Sequence, residues 1–262
     1  MGQVTSRDGT QIAYDRTGNG PAVVLVSGGS VDHTSNAPLA VHLAQHFTVY
    51  NYHRRGRGES GDTAPYAVER EIEDIEAVID EAGGRASLYG ISSGGALALE
   101  AARALPDKVE KLAVFEAPYI VDDTRPRPPA DTARIYTEMV ESGRRGDAVE
   151  YFMTKVVGLP QEFASQARTQ PWWPHQEALA HTLAYDATIM GDYTLPTERL
   201  AQVTVPTLVV DGSESWDWLR MSTQAQADAL PNAHYRTLEG QWHNVDAAVL
   251  APVLVEFFSG QG

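Results

Sequence analysis

The chain contains no cysteine. That excludes disulfides, thiolate metal sites and a cysteine nucleophile. Positive charge is also scarce. Lys and Arg number 20 against 35 Asp and Glu, for a formal net charge of −15. An acidic surface of this kind repels nucleic acid and anionic membrane, so neither is expected as a partner. No apolar run approaches membrane-spanning length, and no apolar leader core opens the sequence. Together these absences lead us to expect a cytoplasmic protein whose partner is a small molecule. Nothing in the sequence bears on oligomeric state.

What is present fits one α/β domain with a large insertion. The 262 residues are 43% apolar, enough for a sizeable core. "VTSRDGTQIAYDR" carries an Asp8-Gly9 turn between alternating segments, which predicts a hairpin. Ala22 to Val26 is a short continuous apolar run, as in a strand covered on both faces. Helical and strand-like stretches then alternate as far as "KLAVF", Lys111 to Phe115. Ile72, Ile75, Val78 and Ile79 recur at helical spacing ahead of a Gly-Gly stop. The rhythm breaks from Pro118 to about Leu200, where only helix-like segments appear, and returns at "VPTLVVDG". The predicted architecture is a doubly wound, mostly parallel sheet, with an antiparallel start and an inserted helical cap. The core domain is expected over 1–117 and 201–262, and the cap over 118–200.

Ligands of open parallel sheets bind beyond the carboxyl ends of the strands. There the fifth predicted strand runs into Gly90-Ile91-Ser92-Ser93-Gly94, a G-x-S-x-G sequence between a strand and a helix. So sharp a turn needs small neighbours and thrusts its central residue into the cleft, which selects Ser92 as nucleophile. Ser93 would offer its backbone N–H to a developing oxyanion. The sixth strand runs directly into Glu116, hemmed in by Phe115, Ala117 and Pro118. A carboxylate in such surroundings needs a partner.

With the elbow, "HRRGRGES" after the fourth strand, "VPTLVVDGSES" after the insertion and "GQWHNVD" before the last helix, the sequence resembles the α/β-hydrolase fold family over nearly its whole length. The resemblance implies a cap after the sixth strand and a base at His243, in the chain order Ser, acid, His. It also implies an acid in the loop after the seventh strand, but that place holds Ser215. Asp217, Glu214 and Asp211 are nearby substitutes. Some members of the family place a glutamate just after the sixth strand, which is the position of Glu116. There it would accept the Nδ1–H of His243 and fix the imidazole. The glycines of "SGGSVDH" suggest Gly29 as the second oxyanion donor, with Ser30 as a fallback.

Two further patterns carry less. Gly56-x-Gly58-x-x-Gly61 satisfies the dinucleotide fingerprint by letter, but Asp62 to Pro65 separate it from the next helix, so it reads as a loop beside the site. "QPWWPH" reads as a stiff, bulky loop placed to gate the cleft. His33, Trp172, Trp173 and Trp242 are the expected pocket residues. The reading is a serine hydrolase acting on a small to medium, partly apolar ester, thioester or lactone, with no metal or cofactor. The same fold also supports carbon–carbon hydrolysis, cofactor-free perhydrolysis, lyase chemistry and non-catalytic ligand reception.

Overall fold

The computed structural model describes residues 1–260. Eight strands form one sheet: β1 (Gly2–Thr5), β2 (Gln11–Thr17), β3 (Ala22–Val26), β4 (Thr48–Tyr52), β5 (Ala86–Ile91), β6 (Val109–Phe115), β7 (Thr207–Gly212) and β8 (Ala233–Leu238). Their spatial order is β1-β2-β4-β3-β5-β6-β7-β8. β1 and β2 pair antiparallel, as do β2 and β4, and every later pair is parallel. The apolar strand β3 is buried from Val23 to Val26 and its neighbour β4 is buried throughout, whereas edge strand β1 alternates between half-buried and exposed.

Helices α1 (Ala37–Leu43) and α11 (Ala247–Phe258) cover one face. They bury Leu39, Leu43, Leu250 and Leu254 against Val23, Leu25, Val49 and Phe115. α2 (Val68–Glu81), α3 (Ser93–Ala104) and α10 (Asp217–Ala229) cover the other. The periodic Ile75, Val78 and Ile79 of α2 are fully buried there. Gly83 and Gly84 end that helix with φ of 106° and 91°, which a side chain would resist.

Between β6 and β7 the chain forms α4 (Thr132–Glu141), α5 (Arg145–Tyr151), α6 (Gln161–Ala167), α7 (Trp173–Leu179), α8 (Leu183–Met190) and α9 (Thr197–Leu200). α5 widens into a π-helical turn over Phe152–Val157. α7 and α8 are joined by a tight turn at Ala180–Thr182. These helices bury a core of their own, including Tyr136, Val149, Trp173 and Leu183. A parallel bridge between Ile120 and Thr194 closes the neck of the insertion. Ile189 and Met190 of α8 pack into the main core, so one helix belongs to both.

Candidate active site

Ser92 stands where β5 ends and α3 begins, with φ 58° and ψ −131°. Such a backbone is strained for a residue with a Cβ. The glycines around it are sterically required. A Cβ on Gly90 would lie 2.4 Å from the Gly94 carbonyl oxygen, and one on Gly94 would lie 2.3 Å from that of Ser27. The Ser92 N–H donates to the Phe115 carbonyl at 2.9 Å and ties the turn to the next strand. Ser92, Gly28, Gly29 and His243 all line one cavity of about 600 Å³. Among the described residues, the non-glycines with left-handed φ are Ser30, Ser92, Glu116 and Tyr193. All four lie on this cavity's wall or in the segments bordering it, as strained residues at functional sites do.

His243 lies between β8 and α11 and meets Glu116, with Nδ1 2.7 Å from Oε2. Glu116 is wholly buried, and its other oxygen accepts the Gly212 N–H at 2.8 Å. A carboxylate at Nδ1 assigns the ring proton to that nitrogen and leaves Nε2 with its lone pair. No hydrogen bond joins Nε2 to the Ser92 hydroxyl among the described residues. Such contacts are commonly long in unliganded sites and tighten around substrate.

The other acids stand elsewhere. Asp211 is buried, but accepts from the Tyr235 hydroxyl at 2.6 Å and faces Arg220 at 3.7 Å. Glu214 and Asp217 are exposed, and Ser215 is buried in the loop between them. Of the two oxyanion candidates, Gly29 is on the cavity wall and Ser93 opens α3.

The expected pocket residues are corrected. His33, Trp172, Trp173 and Trp242 do not line the cavity. The His33 ring stacks on His53 at 3.4 Å instead. Trp173 is in the insertion's own core, while Trp172 and Trp242 are 42% and 59% exposed. The aromatic wall consists of Tyr89, Phe152, Tyr193, Trp216 and Trp218. Nothing in the local pattern of "SWDWLR" marks Trp216 and Trp218 as facing a cavity.

A second arrangement behind the site went unread. Arg54, Arg55 and Arg57 of "HRRGRGES" are the largest fully buried side chains. Arg54 clasps Glu71 through two bonds of 2.7 Å and reaches Asp186 at 2.9 Å. Arg57 meets the other oxygen of Asp186 at 2.8 Å. Both arginines also donate to carbonyls of the loop that carries Gly29, Arg54 to Ser27 and Arg57 to Gly28 and Val31. The Ser93 hydroxyl donates to Asp186 at 2.9 Å. Asp186 is in α8, so the insertion grips the loop from behind. Gln176 bonds Ser30, and His175 stands 3.1 Å from Asp32, which adds two more grips. Burial alone would raise the Asp186 carboxyl, but Arg57 and Arg54 overrule it and hold it below the ordinary range.

Asp15, His33 and His53 bring three potential metal-ligand atoms within 4.8 Å of one another. The His53 Nδ1 accepts the Glu59 N–H at 3.0 Å, which puts the proton of a neutral ring on Nε2 and makes that nitrogen a donor. The two imidazoles are parallel to within 8°, so their lone pairs do not converge on one point. The cluster fits a metal poorly. The glycine-rich loop likewise makes no phosphate cradle, since the Gly56 N–H is occupied by the Gly61 carbonyl at 3.0 Å.

Comparison with known proteins agrees with this geometry. The sequence profile of the alpha/beta hydrolase family matches residues 23–254. A crystal structure of an alpha/beta hydrolase from Sphaerobacter thermophilus is 54% identical, with a TM-score of 0.92, over 98% of this chain and 100% of that one. A thermophilic esterase from Thermogutta terrifontis shares the fold at 22% identity, with a TM-score of 0.77, over 98% and 97%. An uncharacterized hydrolase of Bacillus subtilis, YraK, is 31% identical over 112 residues, 41% of this chain and 41% of that protein. No helix is long and apolar enough to cross a membrane among the described residues. With the elbow at the end of β5, the helical insertion after β6 and a profile match running from β3 into α11, the chain belongs to the alpha/beta hydrolase family.

Proposed function

We propose that this hydrolase cleaves a small to medium, partly apolar ester, thioester or lactone through an acyl-enzyme on Ser92. The observation that carries the proposal is the 2.7 Å contact between the His243 Nδ1 and a wholly buried Glu116, on the wall of the cavity that Ser92 enters. Ser92 Oγ attacks the carbonyl carbon while the His243 Nε2 takes its proton. Glu116 holds the ring in the required tautomer and stabilises the imidazolium that forms. The N–H groups of Gly29 and Ser93 receive the negative charge of the carbonyl oxygen. Collapse breaks the bond to the leaving group, which takes the proton from Nε2. Water then enters, gives a proton to Nε2 and releases the acid by the same steps.

The test is covalent labelling. A fluorophosphonate probe is expected to modify Ser92, and Ser92→Ala to abolish both labelling and turnover of a panel of acyl esters and lactones. A wild-type protein that neither reacts with the probe nor hydrolyses any of the panel would overturn the proposal.

A further inference from the structure

Among the described residues, the cavity wall carries one guanidinium that the chemistry just described does not use. Arg125 lies on its wall, beside Trp218, Val156 and Tyr193. Its guanidinium carbon is 4.0 Å from the centre of the Trp218 ring, and one Nη donates to the Val156 carbonyl at 2.5 Å. Every other guanidinium described above is matched by carboxylates: Arg54 by Glu71 and Asp186, Arg55 by Asp8 and Asp74, Arg57 by Asp186. Arg125 forms no ion pair among the described residues. Burial pushes its guanidinium below the ordinary value, and the neighbour pulling the other way is a phenol, Tyr193, rather than an acid.

Arg16, Arg144 and Arg145 form no carboxylate ion pair among the described residues either, but none of these three lines the cavity, whereas Arg125 does. A half-buried cation without a counter-ion is unfavourable unless something charged completes it. The guanidinium presents a planar fork of five N–H donors, of which the Val156 carbonyl takes one. The fork matches a carboxylate in two parallel bonds. Packing against the indole holds it flat without neutralising it. The wall carries apolar Ile120, Phe152, Val157 and Leu219 as well as polar His42, Asn244 and Asp246. Such a pocket accepts a hydrocarbon chain along its length and one anion at a fixed place. The protein's own negative field works against any anion approaching from solution, so selection of one requires a local partner of this kind.

We infer that the substrate carries a carboxylate, that Arg125 binds it on the Trp218 side of the cavity, and that the scissile ester or lactone lies at Ser92. The inference rests on the acyl-enzyme reading above and names the substrate class for that same site. Arg125 is thereby a specificity-determining residue.

The experiment compares each substrate with its uncharged twin. p-Nitrophenyl hemiesters of straight dicarboxylic acids, from succinate to suberate, are measured beside the same esters with the free carboxylate capped as a methyl ester. Acetyl esters of ω-hydroxy acids, also free and capped, place the anion on the alcohol side. At the best chain length the wild type is expected to favour the free carboxylate at least tenfold in kcat/KM. Arg125→Gln is expected to erase that ratio, and Arg125→Lys, which keeps the charge but not the fork, to retain part of it. The ratio within each protein is the readout, so a general loss of activity does not imitate the effect. In parallel, glutarate and adipate are titrated by calorimetry into the Ser92→Ala protein, with and without Arg125→Gln. Binding that depends on Arg125 is the expected result even where turnover fails. Labelling of Ser92 together with a wild type that ignores or prefers the capped twin would overturn the carboxylate inference and leave the hydrolase reading standing. Arg125-dependent dicarboxylate binding in a protein that never reacts with the probe would do the reverse. Absence of both the preference and the binding sinks the inference outright.

Discussion

Glu116 and Asp186 are both buried carboxylates within one hydrogen bond of the elements that hold Ser92, and they differ in what surrounds them. Asp186 faces two guanidiniums, and with Glu71 the group of Arg54, Arg57, Asp186 and Glu71 sums to no charge. Glu116 faces one imidazole, the proton acceptor of the proposed reaction, and one backbone N–H. Its charge is met only when His243 gains a proton. A balanced set of buried charges holds backbone in place, here the loop from Ser27 to Val31. An unbalanced one is prepared for a charge that arrives during the reaction. Arg125, unmatched on the cavity wall, belongs with Glu116 by this criterion and not with the arginines behind the loop.

The sharpest way to break the comparison is to neutralise each acid without changing its shape. Glu116→Gln offers Nδ1 a carboxamide, which favours the wrong tautomer and cannot stabilise an imidazolium. Turnover is expected to fall by about 10⁴. Its chemical denaturation midpoint is expected to stay near that of the wild type. An unimpaired Glu116→Gln enzyme would transfer the role to another acid, and Asp217→Asn measured alongside would show whether it is Asp217.

Asp186→Asn reverses the pattern. It removes the counter-charge shared by Arg54 and Arg57, two side chains with at most 1% exposure. Breaking a buried pair on one side costs about 3–5 kcal/mol, so urea unfolding should show a loss of that order. Turnover is expected to fall by a smaller factor than in Glu116→Gln, because the loop carrying Gly29 loosens while His243 and Glu116 are untouched. If Asp186→Asn proved as stable as the wild type but lost turnover by thousands, the division between architecture and chemistry drawn above would fail.

The two acids were also unequally legible in the sequence. Glu116 announced itself locally, as a carboxylate directly after an apolar strand and before Ala117-Pro118. The elbow was legible for the same reason, since its glycines are forced by contacts a few residues away. Asp186 is one polar residue in "LAYDATIM", and its partners lie in "HRRGRGES", some 130 positions earlier. Spacing carries no information about such a pairing. The one available hint was that three arginines in four residues of an acidic chain need partners somewhere. The alternation of strands and helices fixed the sheet, because that pattern is set by local burial. The tryptophans failed as pocket markers, since composition records that a ring must be covered and not by what. Trp173 is covered by the insertion itself, and the cavity draws its indoles from Trp216 and Trp218.

The smallest effect sharpens the comparison most, because it reads charge balance directly. The carboxyl of Asp186 is held below its ordinary value by Arg57 and Arg54 against the opposing effect of burial. An acid whose folded pKa is depressed adds stability that is complete above its unfolded pKa, about 4, and is lost as the pH falls toward the folded value. Glu71 and the phenol of Tyr66 share the cluster and remain when Asp186 is changed. The lowered carboxyls of Asp8 and Asp32 also remain, so they cancel in a difference. Urea unfolding at a series of pH values should therefore show a wild-type advantage over Asp186→Asn that is constant from pH 7 to about 5 and narrows below about 4. A gap of the same width at pH 3 and pH 7 would mean that Asp186 contributes hydrogen-bond geometry alone, and its contrast with Glu116 would then be one of shape and not of charge.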